Sequence, residues 1–413
     1  MMRSLTNRSI QTRNRRATTG RSVRAVRGLV VSALLVACLA GASMSPAAIA
    51  GAPGGRRPAT TAPSLGTPTA TIAAVGDMVC DGPPSDAAQP ASRERRYQRG
   101  FCQYAKVSDL VVQGSYDAFL PIGDLQYYSG FLSLYRTWYA PSYGRVMDIT
   151  MPAPGNHDSY AVDAQGRLFA GYRRYFGQRA HWNRWGGAYS FDLGGWHIIS
   201  LNSEVCPAYV WSKRANGPWV RMPNPWGTPC KPGGAEYRWL LRDLRANADD
   251  ACTLAYFHRP AFFWGVGFPT GTLRHPGYSS THPFYRALYR FGADVILTGH
   301  MHYYQRMVPL APDGKADPRY GFTQFIVGTG GDSLEQMPPA AERPTRVAAA
   351  SNTAFGLLRL RLRDGGYDFD FVPAAGSPGH WRLWHGLQVF ENGGGQMPVD
   401  EGSGSCHGAP PRT

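Results

Sequence analysis

Residues 294–302 read DVILTGHMH, an apolar run that stops at a glycine and then offers two histidines, His300 and His302. A short apolar run bounded by a turn residue predicts a buried strand. Two histidines at i and i+2 in an extended segment face the same side, which suits a metal ion. The layout recurs upstream. TIAAV (71–75) runs into Gly76-Asp77, and AFLPI (118–122) runs into Gly123-Asp124 with Tyr127 just beyond. An apolar stretch at 149–154 leads to Gly155-Asn156-His157-Asp158, and TLAYF (253–257) ends in His258. Five apolar segments thus end on side chains able to bind metal. In open α/β sheets ligands sit at the carboxyl ends of the strands, so parallel strands would carry all five groups into one crevice.

Taken singly, each residue has a plainer explanation. An aspartate after a strand caps a helix or forms a turn. Asn156 alone is a turn residue, Tyr127 a packed aromatic, His258 a satisfied histidine. The recurrence of all five is what makes coincidence a poor account. Between the strands lie helix candidates. Residues 235–246 (AEYRWLLRDLRA) set Tyr237, Leu240, Leu241 and Leu244 on one face, and 283–291 follow with Tyr285, Leu288 and Tyr289. TQFIVG (323–328) reads as another strand, and hairpins are expected at 188–201 and 356–372. Strands alternating with helices predict an α/β layered fold.

The N-terminus has a different character. Residues 1–27 hold eight arginines and no acid, and without them the net charge of +15 falls to +7. That remaining excess suits either a solvated basic surface or the steering of anionic substrates. No basic run with interleaved aromatics suggests a nucleic-acid groove. LVVSALLVACLAGA (29–42) follows, then Ala48-Ile49-Ala50, the layout of a secretory signal over residues 1–50. A retained membrane anchor needs a longer apolar run, so no stable span is expected after processing. Lipoprotein processing at Cys38 is the alternative. Residues 51–70 read as a Pro/Gly/Thr-rich linker. Cleavage after Ala50 leaves six cysteines, an even number that fits disulfides in an exported chain. Six cysteines allow fifteen pairings; pairing in sequence order (80–102, 206–230, 252–406) is the expectation taken here. The stretch 206–230, with three tryptophans, reads as an irregular loop, either a substrate-selecting lid or a surface loop pinned by its rings. Residues 262–282 border the same region, with His275 and His282 as minor candidates for substrate contact. The Gly- and Pro-rich 392–413 reads as loosely ordered, with Cys406 as a tether.

In order, Gly76-Asp77, Gly123-Asp124-x-x-Tyr127, Gly155-Asn156-His157-Asp158, the strand-end His258 and Gly299-His300-x-His302 resemble the five motif blocks of purple acid phosphatases, a branch of the calcineurin-like metallophosphoesterases. GHMHYYQRMVP (299–309) is similar to that family's segment around its last two histidines, and FIVGTGGDS (325–333) to a strand and loop downstream. Val79 stands where the first block usually has a second glycine, which affects only the local turn. The resemblance covers roughly residues 71–332. It implies an α/β calcineurin-like two-sheet sandwich flanked by helices. The run of strand and helix candidates sets the catalytic domain over 71–375, with a C-terminal extension over 376–413.

The resemblance also implies a dinuclear centre. Asp77, Asp124, Tyr127 and His302 would take the first metal; Asp124, Asn156, His258 and His300 would take the second. Carboxylate and phenolate oxygens suit Fe3+ at the Tyr127 site, and the more neutral set suits Zn2+, Fe2+ or Mn2+ at the Asn156 site. His157 resembles the family histidine that contacts the phosphate and helps protonate the leaving group, with Asp158 orienting it. The implied activity is hydrolysis of small-molecule phosphomonoesters by metal-bound hydroxide, with an acidic optimum. A phosphodiesterase or nucleotidase on the same site is the alternative, and a non-catalytic cell-surface metal-binding protein a more distant one. Substrate identity and oligomeric state are not legible.

Overall fold

The computed structural model describes residues 67–411 apart from 85–101, 184–185, 215–216, 250–251, 266–277, 336, 339, 377–378, 385–386 and 393–399. The signal segment, Cys38, most of the linker and His275 lie outside the described residues. Strands run in the order β1 (Ala70–Val75), β2 (Ala118–Pro121), β3 (Tyr189–Leu193), β4 (Trp196–Ser200), β5 (Tyr209–Lys213), β6 (Trp219–Pro223), β7 (Cys252–Tyr256) and β8 (Val295–Thr298). They continue through β9 (Tyr304–Met307), β10 (Thr323–Val327), β11 (Val347–Ser351), β12 (Gly356–Arg363), β13 (Gly366–Pro373), β14 (Gly379–Trp384), β15 (Leu387–Asn392) and β16 (Glu401–Ser405). The helices are α1 (Tyr104–Gln113), α2 (Leu132–Leu134), α3 (Asn156–Tyr160), α4 (Ala170–Phe176), α5 (Ala235–Ala246) and α6 (His282–Arg290).

Two sheets carry the architecture. The first runs β16-β13-β12-β1-β2, and the second β11-β9-β10-β8-β7-β4-β3. Ring pairs join their faces: Trp196 with Tyr367, Phe325 with Phe369, and Tyr304 with Phe371, at centroid distances of 5.8, 5.1 and 4.7 Å. The sequence of β12, GLLRLRLR, shows why one face turns inward. Leu358, Leu360 and Leu362 are fully buried, while the alternating arginines pair with acids of β13: Arg359 reaches Asp370 at 2.7 and 3.0 Å, and Arg363 bonds Asp368. This is the period-2 separation of a strand with one face in the core. The mixed α/β two-sheet fold with flanking helices is therefore present as expected.

Parallel pairing matters most for the site. β1 lies parallel to β2, and β4, β7, β8 and β10 are parallel neighbours. The strand ends that carry Asp77 and Asp124 belong to the first sheet, and those that carry His258 and His300 to the second. The crevice is thus formed at the joint edge of two sheets rather than by one.

Three expectations change in detail. The stretch 149–154 is no strand; only single parallel bridges, Phe119 to Thr150 and Ile122 to Ala153, tie it beside β2. Residues 206–230 are not wholly irregular, because β5 and β6 pair as an antiparallel hairpin. The C-terminal stretch is not loose throughout: β16 pairs with β13, and Cys406 is bonded to Cys252. Cys80–Cys102 and Cys206–Cys230 complete the pairing expected. Among the described residues no helix is long and apolar enough to cross a membrane.

Candidate metal centre

Asp77 and Asp124 sit where β1 and β2 end, and both have left-handed backbones, with φ of 58° and 51°; His300, just past β8, has φ of 71°. Such conformations cost a non-glycine residue about 1–2 kcal/mol and persist only where surroundings enforce them. Here the donors brace one another. Asp77 Oδ2 accepts the His300 backbone N–H at 2.7 Å, and Asp124 Oδ1 accepts that of His157 at 2.7 Å. The second oxygen of each carboxylate is thereby left facing the centre. Gly155 is required by this closeness, since a Cβ there would collide with the Asp124 backbone nitrogen and carboxylate.

Two clusters form around Asp124. In the first, the Tyr127 hydroxyl lies 3.0 Å from Asp77 Oδ1, 3.2 Å from Asp124 Oδ2 and 2.8 Å from His302 Nε2. In the second, His258 Nε2 lies 3.2 Å from Asp124 Oδ2 and 3.1 Å from His300 Nδ1. Asp124 Oδ2 belongs to both. Asn156 stands at the N-terminus of α3, directly before His157, whose N–H Asp124 accepts. Asn156 Nδ2 donates to the Tyr160 hydroxyl at 2.8 Å, while its buried Oδ1 has no hydrogen-bond partner. The segment after β8 is a bend, not an extended run, so His300 and His302 part company, one to each cluster.

The donor set fits cations. The far ring nitrogen of each histidine is engaged: His258 Nδ1 with Ile122 O at 2.9 Å, His302 Nδ1 with Ser333 O at 2.6 Å, and His300 Nε2 with the Tyr278 hydroxyl at 2.8 Å. That arrangement aims the other nitrogen inward, as ligating histidines require. Burial opposes charge throughout, yet Asp124 lifts His258 to about 9 and Asp77 lifts His302 to about 10. The neighbouring histidines outweigh burial at Asp124 and hold its carboxyl far below the usual range. Burial, with Asp77 and Asp124 adding to it, drives the Tyr127 phenol well up. A pocket that draws protons onto two histidines calls for positive charge, and bound cations compete with protons for such donors. The orphaned Asn156 Oδ1 points the same way, because buried polar atoms rarely lack partners.

Residues 70–304 match the family described as Calcineurin-like phosphoesterase. The chain belongs to the calcineurin-like phosphoesterase family. It is 26% identical over 273 residues to purple acid phosphatase 21 of Arabidopsis thaliana, covering 62% of this chain and 53% of that protein. It is 26% identical over 277 residues to acid phosphatase type 7 of Homo sapiens, covering 61% and 56%. The chain thus spans about half the length of these curated relatives. Among solved structures, purple acid phosphatase PPD1 from yellow lupin (Lupinus luteus) seeds shares the fold, with a TM-score of 0.53 at 16% identity over 80% of this chain and 56% of that one.

The centre of this calcineurin-like phosphoesterase opens into a cavity of about 610 Å3, lined by residues that include Asp124, Asn156, His157, His300, His302, Arg259 and Tyr278. His157 Nδ1 is held at 2.7 Å by the Tyr128 carbonyl, and its Nε2 lies 3.8 Å from Asp124 Oδ2; burial lowers its pKa. Asp158 does not orient His157. Its buried carboxylate accepts N–H groups from Gly155 (2.7 Å), Leu125 (3.1 Å) and Gln126 (3.3 Å) and the Tyr135 hydroxyl (2.5 Å). It pins the loops of Asp124 and Asn156 together, and burial followed by the Asp124 charge raises it to about 7. His282 packs against Phe262 at 5.3 Å and is not among the cavity residues.

Sequence reasoning missed several supporting groups. Arg259, directly after His258, is tied to buried Glu204 by bonds of 2.8 and 2.9 Å and reaches His300 Nε2 at 3.3 Å. Burial opposes its charge, but Glu204 holds its pKa above the ordinary value. Tyr160 lies one helical turn beyond Asn156, a spacing that would have flagged it. Tyr278 and Glu204 carried no local signal.

Proposed function

We propose that this chain is an exported phosphatase of the purple acid branch, hydrolysing small-molecule phosphomonoesters at a two-metal site. The observation that carries the reading is Asp124 Oδ2, shared between the Asp77/Tyr127/His302 cluster and the His258/His300 cluster. Asp77, Asp124, Tyr127 and His302 would hold Fe3+, and Asp124, Asn156, His258 and His300 would hold Zn2+, Fe2+ or Mn2+. When bound, the pair of ions would supply Lewis-acid polarisation of the phosphoryl group and a competent nucleophile at moderate pH.

The chain's own residues do the rest. His157 lines the cavity, where in its protonated form it would contact the phosphate and pass the Nε2 proton to the leaving oxygen. Its Nδ1 bond to Tyr128 O fixes the ring. Asp158 holds the Asp124 and Asn156 loops in register through backbone N–H groups. Arg259 keeps positive charge beside His300, where an anionic ester enters. Three disulfides support export to an oxidising compartment, with the basic and apolar N-terminus as the signal.

Metal analysis, the visible spectrum and a substrate panel test this reading together. The purified protein should contain two metal ions, one of them iron, and be purple to pink through Tyr127 phenolate-to-iron charge transfer. Tyr127→Phe should bleach the colour. Monoesters should turn over faster than diesters, with an acidic optimum. Preference for diesters would favour the phosphodiesterase alternative. A metal-free protein inert toward both would overturn the proposal.

A further inference from the structure

The β5–β6 hairpin carries an aromatic and cationic face that no structural requirement of the fold explains. Tyr209 and Trp211 alternate with buried Val210 and Ser212, yet remain 52% and 48% exposed. They line the same cavity as Asp124 and His300, and Arg221 lines it beside them. The register places Arg221 opposite Trp211, and the Arg221 guanidinium lies 4.2 Å from the centre of the Tyr209 ring. One hairpin face therefore offers two flat rings and a cation.

The face is held in place. Asn224 Nδ2 donates to Val205 O at 2.6 Å and Pro207 O at 2.7 Å, just before β5. Cys206–Cys230 closes the base of the hairpin. At the far end Trp219 stands edge-on to Tyr160 at 4.9 Å, and Tyr160 in turn bonds Asn156. Half-exposed aromatics on a braced wall of a ligand-sized cavity mark a recognition surface. Rings stack on planar partners, and a cation beside them suits a ligand that is also anionic. A nucleoside phosphate combines both, with its phosphate at the metal centre and its base on the hairpin.

We infer that Tyr209, Trp211 and Arg221 form a base-stacking subsite, so that nucleoside monophosphates are the preferred substrate class; this rests on the phosphatase reading above.

The test compares adenosine monophosphate, glucose phosphate and glycerol phosphate with the metal-loaded wild type, Trp211→Ala and Trp211→Phe. Wild type should show its lowest KM for the nucleotide. Trp211→Ala should raise that KM about tenfold with kcat kept, while glycerol phosphate moves by less than about twofold. Trp211→Phe should retain most of the preference. Equal changes for nucleotide and glycerol phosphate, or none for either, would overturn the subsite. A loss for glucose phosphate as large as for the nucleotide would assign the rings to a sugar and overturn the nucleoside assignment. Titration with adenosine alone, read by quenching of tryptophan fluorescence, judges the platform apart from turnover. Quenching in wild type that is lost in Trp211→Ala supports it even if no ester is hydrolysed, an outcome that would sink the phosphatase reading alone. Hydrolysis without any adenosine quenching would sink the subsite alone.

Discussion

The Tyr160 hydroxyl accepts the Asn156 Nδ2 proton at 2.8 Å and leaves the buried Asn156 Oδ1 without a hydrogen-bond partner. Without that acceptor the amide is free to rotate and present N–H groups to a cation. Tyr160→Phe should therefore weaken binding of the divalent ion by about ten- to a hundredfold, the usual loss when a ligand's outer partner is removed. Titration of metal-depleted protein with Zn2+ would measure it, and an unchanged affinity would refute the role given to Tyr160.

Asp124 is shared by both clusters, so its loss should not be partial. Asp124→Ala is expected to release both ions and bring turnover to background. Metal content per chain is the decisive reading, because retention of two ions would show that the bridge is misassigned.

Asp158 should behave as a structural clamp rather than as a partner of His157. Asp158→Ala leaves three backbone donors and the Tyr135 hydroxyl without their acceptor, a loss of roughly 3 kcal/mol or more. Chemical denaturation should show a clearly lowered midpoint. A fully stable variant with only an altered pH–rate profile would restore the expectation that Asp158 orients His157.

The disulfide that closes the hairpin spans a sequence separation of 24. Closing such a loop restricts the unfolded chain by about 3.5 kcal/mol on the chain-entropy account. The Cys206→Ser/Cys230→Ser double variant should lose stability of that order. Thiol labelling of the native protein should find no free thiol among the three bonded pairs.

His197 on β4 gives the fold a pH dependence of its own. Its ring bonds Asp192 of β3 at 2.9 Å, and Asp243 of α5 at 3.0 Å, with the Asn247 amide 3.2 Å away. Burial opposes the charged ring, but the bonds to Asp243 and Asp192 outweigh it and raise the pKa above the ordinary 6.5. A raised folded value stabilises the protein fully below the unfolded pKa, and the contribution is lost as pH rises through the folded value. The stability difference between wild type and His197→Gln should be largest in acid and fade in alkali. Melting curves across that range would show the trend, and a difference growing toward alkali would contradict it.

Much of the site was legible because its signals are local. A strand announces itself by an apolar run, and the glycine and donor that follow mark where the chain turns out of the sheet. Asp77, Asp124, His258, His300 and the 155–158 turn were flagged because apolar runs stop at possible donors, although 149–154 is no strand; the ligand set of Asp77, Asp124, Tyr127, Asn156, His258, His300 and His302 came from the family resemblance. The hairpin at 356–372 and the apolar face of α5 were readable for the same reason.

What sequence alone determined, then, was which segments stop at possible donors, since strand period and turn chemistry act over a few neighbours. Tertiary structure decided the local geometry. Spacing alone sets His300 and His302 on one side, and the family resemblance divides them between two metals; the bend after β8, with its left-handed His300, is what places them in different clusters. Asp158 follows His157 in sequence, but the loop packing turns its carboxylate onto Leu125, Gln126 and Gly155. Arg259 meets Glu204 across 55 residues, from the loops that follow the neighbouring strands β7 and β4, and Trp211 meets the cavity from the separate β5–β6 hairpin. Such pairings join positions tens of residues apart, and no local preference encodes a contact whose partner arrives from another strand or hairpin.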